Sequence, residues 1–121
     1  MTPLEHIETS RKFIEQAVIE YAKDDLLQAS EKAWGAAAHA VKAIAERRGW
    51  RHDSHRELYI VIQRLTDELV DPGIDAMFHV AGNSHKNFYE GWLDSVQVAR
   101  NIETVGKFLV KLESVYTDAP T

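Results

Sequence analysis

The sequence contains no cysteine. That excludes a disulfide framework, a thiolate zinc site and a cysteine nucleophile, and it fits a cytoplasmic home. Proline and glycine are scarce, three and six in 121 residues, too few to break long helices often. Long apolar runs are missing, so no segment reads as a membrane span, and no charged-then-apolar stretch opens the chain as a signal peptide would. Positive charge is also short, with 14 Lys+Arg against 19 Asp+Glu and a net charge of −5. A protein that holds nucleic acid by bulk electrostatics needs the opposite balance, so only local basic patches stay open. No internal repeat is visible. What remains is ordinary globular composition, 45% hydrophobic and 27% charged, in a length that suits one domain with a single core.

The periodicity is helical throughout. Thr2-Pro3-Leu4-Glu5 is a capping box with proline in the first turn, and the stripe Ile7, Ile14, Ala17, Val18, Tyr21 follows it. After a weak turn at Lys23-Asp24-Asp25, Asp25 and Gln28 cap a second helix running to Arg48. This helix has a face of small residues (Leu26, Ala29, Ala33, Ala36, Ala37, Ala40, Ile44) that lets neighbours approach closely. Its other face is a polar stripe: Gln28, Glu31, Lys32, Gly35, His39, Lys42, Glu46. Gly35 costs about 1 kcal/mol against alanine there; a closely packed partner helix is the expected reason, a ligand the alternative.

Gly49 stops this helix behind Arg47-Arg48, whose charges suit the helix dipole. Ser54-His55-Arg56-Glu57 opens a third helix with the face Leu58, Val61, Ile62, Leu65, Leu69, and Asp71-Pro72-Gly73 ends it. A fourth runs from Ile74 to near Glu90, with a break at Gly82-Asn83 left open. Asp94 and Gln97 cap a fifth, with Leu93 and Val98 spaced as a hydrophobic staple. Its stripe is Val98, Ile102, Val105, Leu109, Leu112, Tyr116, and Thr117–Thr121 are expected to fray. Short links between long amphipathic helices predict an all-α, antiparallel up-and-down bundle of four to five helices.

Chemistry concentrates in His79–Trp92, where two histidines, two asparagines and three aromatics crowd fourteen residues. On a continuous helix His85, Phe88 and Trp92 face the core, with Tyr89 at the margin, while His79, Asn83 and Lys86 face away. His79 and His85 then lie about 120° apart, too far to share one reacting group unless the helix breaks. His85 reads either as a satisfied core-edge histidine or as a ligand contact or general acid/base between helices. His52-Asp53-Ser54-His55 looks like a metal clip, but the two histidines flank a helix start and share no face. No metal or cofactor is expected. Arg47, Arg48, Trp50, Arg51 and Arg56 form a basic-aromatic patch, read as a solvated helix end in preference to a phosphate contact.

Two segments carry a family resemblance. Glu31-Lys32-Ala33-Trp34-Gly35-Ala36-Ala37 followed by Lys42-Ala43-Ile44-Ala45, and then His85-Lys86-Asn87-Phe88-Tyr89-Glu90, resemble the PaREP family of archaea and bacteria, within the HEPN-like superfamily. The resemblance implies a four- to five-helix bundle, usually a homodimer, associated with nucleotides or RNA. Several such proteins are metal-independent ribonucleases or toxins, and others pair with a minimal nucleotidyltransferase. The superfamily's ribonucleases place an arginine some four to six residues before a histidine. His85 matches the histidine, but Phe78-His79-Val80 holds no arginine, and His79 stands in its place. A histidine does not clamp a phosphate as a guanidinium does. Arg47 with His52 and Arg48 with His55 meet the spacing in the wrong loop, by coincidence.

Three readings follow. The first is a non-catalytic dimer binding a nucleotide, RNA or a partner protein, in a toxin–antitoxin type of system, through Glu31, Lys32, His39, His79, Asn83, Asn87 and Tyr89. The second is a metal-independent ribonuclease with His85 as acid/base and His79 or Lys32 replacing the arginine. The third is a protein-interaction module, such as an antitoxin, whose histidines are structural.

Overall fold

Each helix begins where a side chain is placed to accept the first free backbone N–H groups. In the computed structural model, which describes residues 1–118, α1 (Pro3–Ala22) starts behind Thr2 with both halves of the capping box formed. The tight link to α2 (Leu26–Arg48) uses Asp24 at φ 62°, a left-handed conformation that aspartate tolerates. Gly49 closes α2 at φ 74°. Ser54 caps α3 (His55–Leu69). α3 ends at Val70 with φ 48°, a strained conformation for a β-branched residue.

Asp71-Pro72-Gly73 opens the next helix, in addition to following the last one. Asp71 accepts from the Gly73 N–H, Pro72 is the first residue of α4 (Pro72–Glu90), and the helix runs unbroken through Gly82-Asn83. Gly91, at φ 63°, stops it. α5 (Ser95–Thr117) starts with the full Asp94/Gln97 capping box. Of the tail expected to fray, Thr117 closes α5, and positions 119–121 lie outside the described residues. Among the described residues there is no strand, and no helix is long and apolar enough to cross a membrane.

α2 is the axis of the bundle and touches all four other helices. It is buried nearly all round: Trp34, Ala38, Val41, Ala43 and Ala45 join the expected small-residue face. Alanine spans little, so four neighbours fit around one helix. Gly35 is packed by α1; a Cβ there would stand 2.9 Å from Phe13 Cδ2, so the close partner is a helix. Gly82 does the same for α3, since a Cβ would run into the Tyr59 hydroxyl. That contact explains a glycine inside an unbroken helix.

Phe78 and Phe108 fill the centre, both fully buried, with ring centroids 5.7 Å apart. Three expected core positions are surface instead: Val18 is 55% exposed, Leu69 42% and Trp92 56%. Trp92 lies beyond the Gly91 stop, so helical phase no longer governs where it points. Val18 is exposed because the buried face of α1 is His6, Ile7, Ser10 and Ala17, rotated by about 40° from the purely apolar stripe. Two of those four are polar, and apolar spacing cannot register them.

Candidate functional site

The most chemically loaded place is the seam where α2, α3 and α4 meet. From α2, Glu31 and Trp34 project one turn apart; from α4, His85 and Tyr89 do the same; His55 is the first residue of α3. His85 Nδ1 donates to Glu31 Oε1 at 2.8 Å. The Trp34 ring lies 5.2 Å from both His85 and His55. The His55 and His85 rings meet edge to face at 4.9 Å, and Tyr89 meets His85 likewise at 5.3 Å.

The carboxylate fixes the His85 ring and its tautomer: with Nδ1 donating, Nε2 is the atom left to accept or carry a proton. The dyad is reachable, with the His85 and Glu31 side chains 22% and 26% exposed. Trp34, by contrast, is buried and serves as the back wall against Phe78.

Not all the residues expected to bind a ligand converge here. His85, Glu31 and Tyr89 do. Asn87, adjacent in sequence, is fully buried: its amide donates to Ser30 Oγ at 2.9 Å and its carbonyl oxygen accepts the Leu93 N–H at 2.8 Å. It ties α4 to α2 and to the start of the link to α5, and has no face left for a ligand. His79 is exposed on the far side of the unbroken α4, donating to the Asp75 carbonyl at 2.8 Å. Asn83 is half-buried, about 160° around the helix from His85.

Lys32 and His39 face a different seam, towards α1. The Lys32 ammonium sits 5.1 Å over the Phe13 ring. The polar stripe of α2 is therefore split: Lys32 and His39 are within about 20° of each other, and Glu31 is some 80–100° away. His55, read from sequence as one of two histidines flanking a helix start, is the first residue of α3 and joins the site only through packing.

The α1/α2 seam holds a second histidine group. His6 Nδ1 and His39 Nδ1 are 2.9 Å apart, so one ring donates and the other accepts. His52 lies 5.8 Å from His6 and donates from Nε2 to Glu46 Oε2 at 2.7 Å. Burial pushes the His39 imidazole down to about 4, helped by the Lys42 ammonium and by His6. His6 is lowered too, by burial first, then by His52, the N-terminal amine and Lys42, with Glu46 opposing. Protonating the accepting ring would set two N–H groups face to face. Among the described residues, no cluster of three such side chains is arranged to hold a metal ion.

This pair is expected to make stability pH-dependent. Above about 6.5 both rings are neutral whether folded or unfolded and contribute nothing to the slope. As pH falls from about 6.5 towards 4, the unfolded chain takes up protons that folded His39 refuses, so stability falls across that window. The expected loss between pH 7.5 and pH 5 is about 1 kcal/mol, scaled down from the full linkage value because the ring is only half-buried. Urea unfolding at pH 7.5 and pH 5, compared with His39→Gln, measures it; an equal loss in both proteins rules the pair out as the cause.

The architecture defines a small all-helical bundle class: a buried alanine-rich axis with histidine-bearing seams on two sides. Within that class, the chain belongs to the archaeal PaREP1/PaREP8 family, whose model matches residues 5–109. Its fold is similar to the crystal structure of a Sulfolobus solfataricus protein at TM-score 0.78, with 22% identity over 88% of this chain and 94% of that one. No curated protein matches the sequence.

Proposed function

We propose that this protein binds single-stranded RNA or a nucleotide at the Glu31–His55–His85–Tyr89 seam, as a binding protein and not a nuclease. The observation that carries this reading is the convergence of three helices on an accessible carboxylate–imidazole dyad walled by aromatic rings. His85 Nε2 and the Glu31 carboxylate offer hydrogen-bonding partners for a base edge. Tyr89, 71% exposed, offers a stacking face, and stacking tolerates any base. The HEPN-like resemblance carried by the Glu31–Ala45 and His85–Glu90 segments together supports the same class of ligand. The stand-ins for the superfamily's arginine argue against cleavage: His79 faces away on an unbroken helix and Lys32 lies in the other seam.

One contact favours a second reading. His55 stands beside His85 as a second imidazole, and two imidazoles can supply the base and the acid for metal-free cleavage of RNA. Both readings are tested together, in EDTA, with a labelled single-stranded RNA. Under the binding reading the RNA stays intact, and His85→Ala or Tyr89→Ala weakens its affinity roughly tenfold. Cleavage lost in both His55→Ala and His85→Ala establishes the second reading. RNA and nucleotide affinities that neither variant changes discard the seam altogether.

A further inference from the structure

A separate pocket lies on the other side of α3. It is an open groove of about 430 Å³, lined chiefly by Trp50 and Arg51 of the α2–α3 link and by Arg56, Glu57, Ile60 and Arg64 of α3. Arg51, Arg56 and Arg64 are three of the seven arginines in the sequence. Among the described residues none of the three has an ion-pair partner, whereas Arg11 meets Glu113 and Arg48 meets Glu68. The one acid in the pocket, Glu57, already accepts the Asp53 N–H at 2.9 Å.

The Arg64 guanidinium lies 5.0 Å over the Trp50 ring, and so does that of Arg48. The indole therefore holds Arg64 in place before any ligand arrives. In a chain carrying five more acids than bases, three permanently charged groups that share one carboxylate and pair with none repel one another. Helix stability alone would favour a further acid among them.

We propose that this pocket binds a small phosphate ester of nucleotide size. Planar guanidinium forks match phosphoryl oxygens two at a time. Ile60, exposed beside the arginines, supplies the apolar contact for the organic part. The volume falls within the range of small-molecule sites. The inference does not rest on the seam at His85, since its ligand contacts come from different residues and a different face of α3.

The test is thermal unfolding and calorimetric titration at low ionic strength with inorganic pyrophosphate and adenosine 5′-diphosphate. The wild type is expected to bind both, the diphosphate more tightly because it also uses the apolar contact. Arg56→Gln and Arg64→Gln each weaken binding at least tenfold. Without ligand, Arg56→Gln melts no lower than the wild type, because the substitution relieves repulsion. His85→Ala keeps the pyrophosphate response in full. The proposal is overturned by any of three results: no response to either probe, a response unchanged in the double Arg56→Gln/Arg64→Gln variant, or one lost in His85→Ala.

Discussion

Asn87→Ala is expected to remove about 3 kcal/mol of folding stability, although the residue looks from sequence like a ligand contact. Asn87 is fully buried and uses both ends of its amide, towards Ser30 Oγ and from the Leu93 N–H. Truncation leaves the Leu93 N–H and the Ser30 hydroxyl without their partner, and each unsatisfied buried group costs about 1–3 kcal/mol. A small cavity adds to the loss. The Leu93 bond also fixes the chain just after the Gly91 stop, so the α4–α5 link should loosen first, and hydrogen exchange at Leu93 should quicken more than at mid-helix positions. Urea unfolding gives the magnitude, with an unchanged slope confirming that the same surface is exposed. A loss below about 1 kcal/mol, near the net worth of an ordinary hydrogen bond, would show that water replaces the amide.

The largest effect is expected from Phe78→Ala, at about 4 kcal/mol. The Phe78 ring is fully buried and lies 4.8 Å from Tyr59, 5.5 Å from Trp34 and 5.7 Å from Phe108. Removing it opens a cavity among three large rings on separate helices, which cannot all collapse inward. Phe78→Leu refills much of the space and should cost well under half as much. The two variants together separate a cavity from a general intolerance of change, since equal losses in both would mean that packing at Phe78 is not the cause. Trp34 is also the back wall of the His85 seam. Phe78→Ala should therefore weaken ligand binding there as well as stability, while Phe78→Leu largely spares it.

Much of the fold could be read from local chemistry. The caps at Thr2, Asp25, Ser54 and Asp94 and the stops at Gly49 and Gly91 are short-range signals, set by which side chains reach neighbouring N–H groups and which residues accept positive φ. Where the reading slipped, a tertiary contact overruled periodicity. Polar His6 and Ser10 occupy the buried face of α1 because His39 and the Ala36 carbonyl oxygen give them partners on α2. Gly82 sits inside an unbroken α4 because a Cβ there would run into the Tyr59 hydroxyl of α3.

The site was legible only in part. His85, Glu31 and Tyr89 carry their chemistry in their residue types, and all three come together. The rest of the α2 stripe separates, because a periodicity argument places residues around one helix without saying which neighbour covers each side. His55 and Arg64 were out of reach for the same reason. His55 opens α3 and Arg64 lies in its second half, and each gains its partner, His85 for one and Trp50 for the other, from a different segment.

By itself, then, the sequence determined the all-α class, a count of four to five helices, most of their ends and, through two short motifs, the family; the caps and stops rest on interactions within a few residues. Only the tertiary structure decided which polar groups meet. It joined Glu31 to His85, spent Asn87 on the core, paired His6 with His39 and gathered three arginines on one pocket. Those outcomes depend on how five helices rotate about α2. That rotation minimises the free energy of the whole core, and no single stretch of sequence encodes it.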